Sequence, residues 1–210
     1  LSNNLTTYMR VMFIGAHPDD IELGAGGTLL KHIRRGDEVL YVVVSKGERG
    51  GDPKEREREV LEIVSYLGIR SYRLFSFPDT LLNTEFNEIK DELESIIKEY
   101  GPDRIYTHSL NDSHQDHRAV AEAVKIAGRG VPQILSFWAP LLYNNFSPNY
   151  FIDISDVFEE KLKVLEKYRS QGHRDYLKRE VIAGVNRYFG FINNVEYAEG
   201  FEIIKFREIF

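Results

Sequence analysis

Val11-Met12-Phe13-Ile14-Gly15-Ala16-His17-Pro18-Asp19-Asp20 is an apolar run that ends in a stiff, acidic turn. The run lacks the alternation of a half-exposed strand, so it reads as a strand covered on both faces. Pro18 fixes its own φ and biases His17 toward an extended conformation. Adjacent carboxylates in a tight loop repel each other unless a cation or good donors compensate. Zinc takes imidazole and carboxylate ligands, and a catalytic site leaves one position for water. A plain helix cap ahead of a helix starting near Glu22 accounts for the same residues, because aspartate is common there. Taken alone, the loop does not separate the two readings.

Further apolar runs follow at Glu38–Val44, Tyr72–Phe77, Asp103–His108 and Gln133–Trp138, then near Tyr150–Ile154 and Phe201–Phe206. Together with Arg10–Ala16 they are the expected strands. Helical spacing lies between them: Val60, Leu61, Val64 and Leu67 recur on one face, behind a start at Asp52-Pro53. Phe86, Ile89, Leu93, Ile96, Ile97 and Tyr100 form a second such face. This alternation predicts an α/β fold: a Rossmann-like, doubly wound, mainly parallel sheet with helices on both faces, in a single domain. Phe158–Phe189 reads as a charged helical cap on that domain. Residues 1–9 are expected to be a disordered leader or a mis-assigned start, with the domain spanning 10–210.

The 210 residues suffice for one sizeable core, and 42% hydrophobic with 29% charged residues is the balance of a globular protein. A net charge of -6 argues against nucleic acid as a partner. The chain has no cysteine, which excludes thiolate ligands, a cysteine nucleophile and disulfides, so histidine and carboxylate are the remaining metal donors. No apolar run approaches the ~20 residues of a membrane span. No membrane partner is therefore expected, and the cytoplasm is the default location. His32, flanked by Lys31 and Arg34-Arg35, reads as solvated helix surface.

In open α/β sheets ligands sit outside the carboxyl ends of the strands. Two segments there pair histidine with aspartate: Ala16–Asp20 and Ser113-His114-Gln115-Asp116-His117. Ser113 suits a helix cap, and the helix's positive end favours neutral imidazoles at His114 and His117. Strand orders 3-2-1-4-5 or 2-1-3-4-5 bring both segments to one sheet edge. His17, Asp20 and one of His114 or His117 then supply three metal ligands. Gly24-Ala25-Gly26-Gly27 is misplaced for a dinucleotide loop, because the turn itself is acidic; the glycines suit close helix-to-sheet packing. His108 ends its strand either as a buried structural histidine or within reach of the site. Trp138 and Tyr143 could form an aromatic wall for a sugar ring, or belong to the core.

These motifs, with Ser-Lys-Gly-Glu at 45–48, Arg56-x-x-Glu59, Pro78-Asp79 and Glu-Tyr-Ala-Glu-Gly-Phe at 196–201, resemble the LmbE-like or PIG-L family of zinc-dependent N-deacetylases. The resemblance runs from Arg10 to about Phe206. It implies that His17, Asp20 and His117 bind one zinc, or another divalent metal. Asp19 would be the general base, and His114 would stabilise the oxyanion with Asp116 orienting it. Glu48, Arg56 and Asp79 would line the substrate pocket, with Tyr197 a further candidate. Gln115 departs from the family's usual proline without touching a ligand. The implied activity is removal of acetyl from an N-acetylated amino sugar or related small molecule, by a homo-oligomer. The rivals are a non-catalytic zinc protein with a closed, four-ligand site, and a nucleotide-dependent enzyme that phosphate compounds would stabilise.

Overall fold

Successive residues of β1 (Arg10–Gly15) point into two different cores. Val11 and Phe13 pack against Leu23 and Leu29 of α1 (Asp20–Arg35) and Val60 of α2 (Pro53–Tyr66). Met12 and Ile14 pack against Leu93 of α3 (Phe86–Tyr100) and Val120 of α4 (Gln115–Ala127). That double burial is why the strand carries no polar alternation. The computed structural model describes residues 8–140 and 146–209.

The sheet continues through β2 (Glu38–Val43), β3 (Ser71–Leu74), β4 (Arg104–His108), β5 (Gln133–Phe137), β6 (Tyr150–Asp153) and β7 (Ala198–Phe206). Its order is β3-β2-β1-β4-β5-β7-β6. The first five strands in this order are mutually parallel, while β7 runs antiparallel to both β5 and β6. Of the two orders expected for the first five strands, the structure takes 3-2-1-4-5. The chain leaves β1 toward β2 and returns on the other side at β4, so a crevice opens between their carboxyl ends.

The expected helical cap over 158–189 is interrupted. α5 (Phe158–Leu165) ends early, short helical turns occupy Arg169–Gln171 and Asp175–Leu177, and α6 (Arg179–Phe191) follows. The last strand begins at Ala198, ahead of the expected Phe201, because its first residues pair with β6. His32 is buried rather than solvated: one ring nitrogen lies 2.6 Å from Asp37 and the other 2.9 Å from the Tyr106 hydroxyl. Burial keeps the His32 ring neutral, so with one nitrogen donating to Asp37 the other accepts from the Tyr106 hydroxyl, which itself accepts from Arg104.

α1 is broken at Ala25, whose φ of -142° is not helical. Gly24 lies against the Phe137 ring and the Trp138 carbonyl, and a Cβ on Gly27 would sit 2.7 Å from Ile154. The glycines do serve close packing. The break is also capped from outside by a buried ion pair. Glu199 accepts the N–H groups of Gly27 and Thr28 at 2.8 and 2.7 Å. Lys161 donates to Glu199 at 2.7 Å, to the Leu23 carbonyl at 2.8 Å and to Asn186. The lysine thus serves the end of the first segment and the glutamate the start of the second.

Residues 1–7 of the leader expected at 1–9, and Tyr143, lie outside the described residues. Met9, at the leader's expected end, packs against the core, and its N–H donates to Asp37 at 2.9 Å. No described helix is long and apolar enough to cross a membrane.

Candidate metal centre and active site

The loop after β1 turns on Asp19, held at φ 92°. This left-handed conformation costs an aspartate on the order of 1–3 kcal/mol, which the surrounding contacts must offset. The Asp19 side chain makes no cap hydrogen bond, so the helix-cap reading fails for this residue. Its Oδ1 lies 3.6 Å from the Arg56 guanidinium, and Oδ2 accepts from the Tyr176 hydroxyl at 3.4 Å. Asp20 instead folds back, and its Oδ2 accepts the His17 N–H at 2.7 Å.

Helix α4 brings in the partner motif. Asp20 Oδ1 lies 3.4 Å from His117 Nε2, and Asp20 Oδ2 lies 3.5 Å from His17 Nδ1. Two donors around one tetrahedral zinc, each at about 2.0–2.2 Å, are separated by about 3.3–3.6 Å. These spacings fit a shared cation, and the three ligand atoms all fall within 4.8 Å of one another. Two other His/Asp groupings, His17-His114-Asp116 and His108-Asp112-His117, overlap this one through His17 and His117.

Each ligand histidine presents its second nitrogen to a carboxylate, the arrangement that fixes ring orientation around a metal. His117 Nδ1 is 2.9 Å from Asp112, while His17 Nε2 is 3.0 Å from Asp79 and 3.1 Å from Asp116. Contrary to the role that the resemblance implies, Asp116 does not orient His114 with its carboxylate. That carboxylate accepts the Thr80 and Leu82 N–H groups and faces His17, because a residue two positions along a helix cannot turn back to His114. Only the backbone N–H of Asp116 reaches His114, donating to Nδ1 at 3.2 Å. His114 is itself the helix cap, in place of Ser113. With Nδ1 accepting, the neutral ring carries its proton on Nε2.

The electrostatics favour a cation. Burial opposes charge on His17, but hydrogen bonds with Asp116, Asp20 and Asp79 overcome it and hold the imidazolium well above its ordinary pKa. Burial likewise opposes charge on His117, yet Asp20 and Asp112 push it up to about 9. Protons on these two rings occupy the place of the positive charge that the surrounding carboxylates demand, and a metal would displace them. Burial would raise Asp20, but His117 and His108 keep it well below the usual carboxylate range. Asp19 moves the other way: burial raises it to about 7, with Arg56 opposing and Asp20 assisting. His114 is lowered, chiefly by burial and then by His117 and His17.

Beneath the centre, His108 is fully buried and stacks on His117 with ring centroids 3.9 Å apart. Its Nε2 accepts the Ala16 N–H at 2.9 Å and lies 3.2 Å from Asp20. Burial, then His117, lowers it to about 4, so it is a neutral floor to the site.

The centre opens into a cavity of about 310 Å³ lined by the three ligands, Asp19, Arg56, Asp79 and His114. Glu48 is set back from it: its carboxylate accepts the Asp79 N–H at 2.8 Å and holds that loop. Arg56 is buried against the Gly47 and Pro18 carbonyls, bracing the turn that carries Asp19. Tyr197 stacks on Phe158 at 3.8 Å and does not line the cavity. Asp112, Gln171, Arg174 and Tyr176 were not anticipated as site residues. Asp112 is a turn residue by every local signal, and the other three lie in the irregular cap, where no periodicity points inward.

The profile of the PIG-L family, described as GlcNAc-PI de-N-acetylase, matches residues 12–127, more than half of the chain. This chain belongs to the PIG-L family. The PIG-L match spans the elements from β1 to α4 and includes both His/Asp motifs. The uncharacterized deacetylase YaiS of Escherichia coli K12 is 36% identical over 167 residues, covering 76% of this chain and 90% of that protein. The diacetylchitobiose deacetylase of Thermococcus kodakarensis is 29% identical over 224 residues, covering 93% and 83%. Among solved structures, the N,N'-diacetylchitobiose deacetylase from Pyrococcus horikoshii superposes with a TM-score of 0.82 at 26% identity, covering 97% and 86%.

Proposed function

We propose that this PIG-L protein is a zinc-dependent hydrolase that removes the acetyl group from an N-acetylated amino sugar or a closely related small molecule. One observation carries the reading. Three ligand atoms spaced for a single cation sit beside a buried carboxylate, Asp19, whose pKa lies near neutrality. His17, Asp20 and His117 would hold the metal, which supplies polarisation of water and of the acetamide carbonyl.

The remaining chemistry falls to the chain. Asp19 takes a proton from the attacking water, a role suited to a base titrating near the working pH. The Nε2–H of His114 donates to the oxyanion that forms on the carbonyl. Asp19 then returns its proton to the departing amine, leaving acetate and a free amino group. Asp112 and Asp116 hold His117 and His17 in place; Arg56 steadies the Asp19 turn. Diacetylchitobiose deacetylases and the probable N-acetyl-alpha-D-glucosaminyl L-malate deacetylase of Bacillus cereus, which is 29% identical over 186 residues, support the choice of an amino sugar.

Zinc as the native metal, a cytoplasmic location and a homo-oligomeric state belong to the same proposal. Exposed Tyr188 and Phe191 on α6, with Ile192 just after it, support self-association. The test is acetate release from N-acetylglucosamine derivatives, with metal content measured alongside. Asp19→Asn is expected to keep its metal and lose about 10²–10⁴-fold in kcat. Near-wild-type turnover by that variant would overturn the assignment.

A further inference from the structure

Three arginines line the cavity, and they are used differently. Arg56 is spent on the Gly47 and Pro18 carbonyls and on Asp19. Arg49, exposed, and Arg174, half-buried, also line the cavity, and neither guanidinium has a carboxylate partner among the described residues. Their acidic neighbours in sequence are engaged elsewhere: Glu48 with the Asp79 N–H and Ser45, Asp175 with Lys178. Residues 1–7, 141–145 and 210, outside the described part, contain no aspartate or glutamate.

A built contact ties together the two segments that carry these arginines. Buried Gln171 donates its amide to the Gly50 carbonyl at 3.1 Å, and its Oε1 accepts from Arg174 Nε at 3.4 Å. Gly50 is the residue after Arg49, so one side chain ties the Arg174 segment to the Arg49 loop. That segment is anchored in turn on α2, where Glu59 accepts the Ser170 N–H at 2.8 Å and its hydroxyl at 2.7 Å. Gln171 uses only Nε of Arg174. The two terminal nitrogens remain as a fork, the geometry that grips a carboxylate or phosphate.

The net charge of -6 repels an anion on average, so a pair of unneutralised guanidiniums around this one cavity selects for it locally. A cavity of about 310 Å³ is small for a ligand site and suits an acetamide-bearing ring with a substituent at the opening. We propose that the substrate is an anionic N-acetylated sugar, whose phosphate or carboxylate is held between Arg49 and Arg174. This rests on the deacetylase reading for the acetamide end, and on the arginines alone for the anion.

The test compares kcat/KM for N-acetylglucosamine, N-acetylglucosamine 6-phosphate and N-acetylmuramic acid on the zinc-loaded protein. At least one anionic substrate should exceed the neutral sugar by about tenfold or more, and the better one identifies phosphate or carboxylate as the source. Arg174→Ala and Arg49→Ala should each reduce that preference, mainly through KM, with Arg174→Lys restoring only part of it. Equal use of neutral and anionic sugars, or equal losses on both in the variants, would overturn the proposal. Calorimetry with glucosamine and glucosamine 6-phosphate reads the anion site without turnover. Selective binding of the phosphate with no acetate released from any substrate would uphold the anion site and count against the deacetylase; equal affinities would count against the anion site.

Discussion

Helix α1 carries two buried charge clusters, one at its start and one at its break, and they are built to opposite ends. At the break, Lys161 and Glu199 satisfy each other and the backbone groups that the kink exposes. Nothing further is required there. At the start, Asp20, His17 and His117 bring their ligand atoms within 4.8 Å of one another, and Asp79, Asp112 and Asp116 crowd negative charge behind them. A closed cluster fixes a shape, whereas an open one binds. The comparison shows that burial of charge alone does not mark a site; an excess of carboxylate converging on a cavity does.

The difference can be broken from either side. His117→Ala should have the largest effect: stoichiometric zinc is lost at micromolar metal. Asp112→Ala, which removes only the support of His117, should weaken zinc about 10–100-fold. Metal titration followed by mass spectrometry reads both, and unchanged zinc in His117→Ala would rule out the open-cluster assignment.

Lys161→Met attacks the closed cluster. It strands the Glu199 charge and the Leu23 carbonyl, so denaturant unfolding should show a loss of about 3–5 kcal/mol. Adding Glu199→Gln should recover part of it, because the amide oxygen still accepts from the α1 backbone without a buried charge. No recovery in the double variant would mean that the pair acts through packing alone.

The smallest effect comes from His32. Its folded pKa is lowered, by burial against the opposing pull of Asp37. Below about pH 6.5 the unfolded chain therefore binds a proton that the folded chain refuses. Stability should fall as pH drops through that value, by at most about 1.4 kcal/mol per pH unit. The lowered Asp37 acts later, losing its contribution only as pH falls toward and below the ordinary aspartate range. His32→Gln should flatten the first slope relative to wild type; parallel curves would refute a neutral His32.

Much of this was readable in the chain, for physical reasons. Val11–Ile14 is apolar throughout because both faces are covered, and that pattern survives in one dimension. The two His/Asp motifs follow β1 and β4, so the sheet order alone brings them together. What stayed hidden depends on contacts far apart in sequence. Lys161 and Glu199 meet the α1 break across 138 and 171 residues of sequence. Arg174 and Tyr176 reach the cavity from a cap with no regular period. His32 looked solvated because its sequence neighbours are charged, while its own side of the helix faces Tyr106.

The backbone of Asp19 has one more consequence. Glycine adopts a φ of 92° without strain, and asparagine tolerates left-handed geometry better than most residues. Either replacement would relieve a local cost and delete the carboxylate assigned as base. A library of this chain sorted only for survival of heating would accumulate those substitutions at position 19. Durability and turnover thus pull one codon in opposite directions, so any thermostability programme on this scaffold has to screen for acetate release at every round.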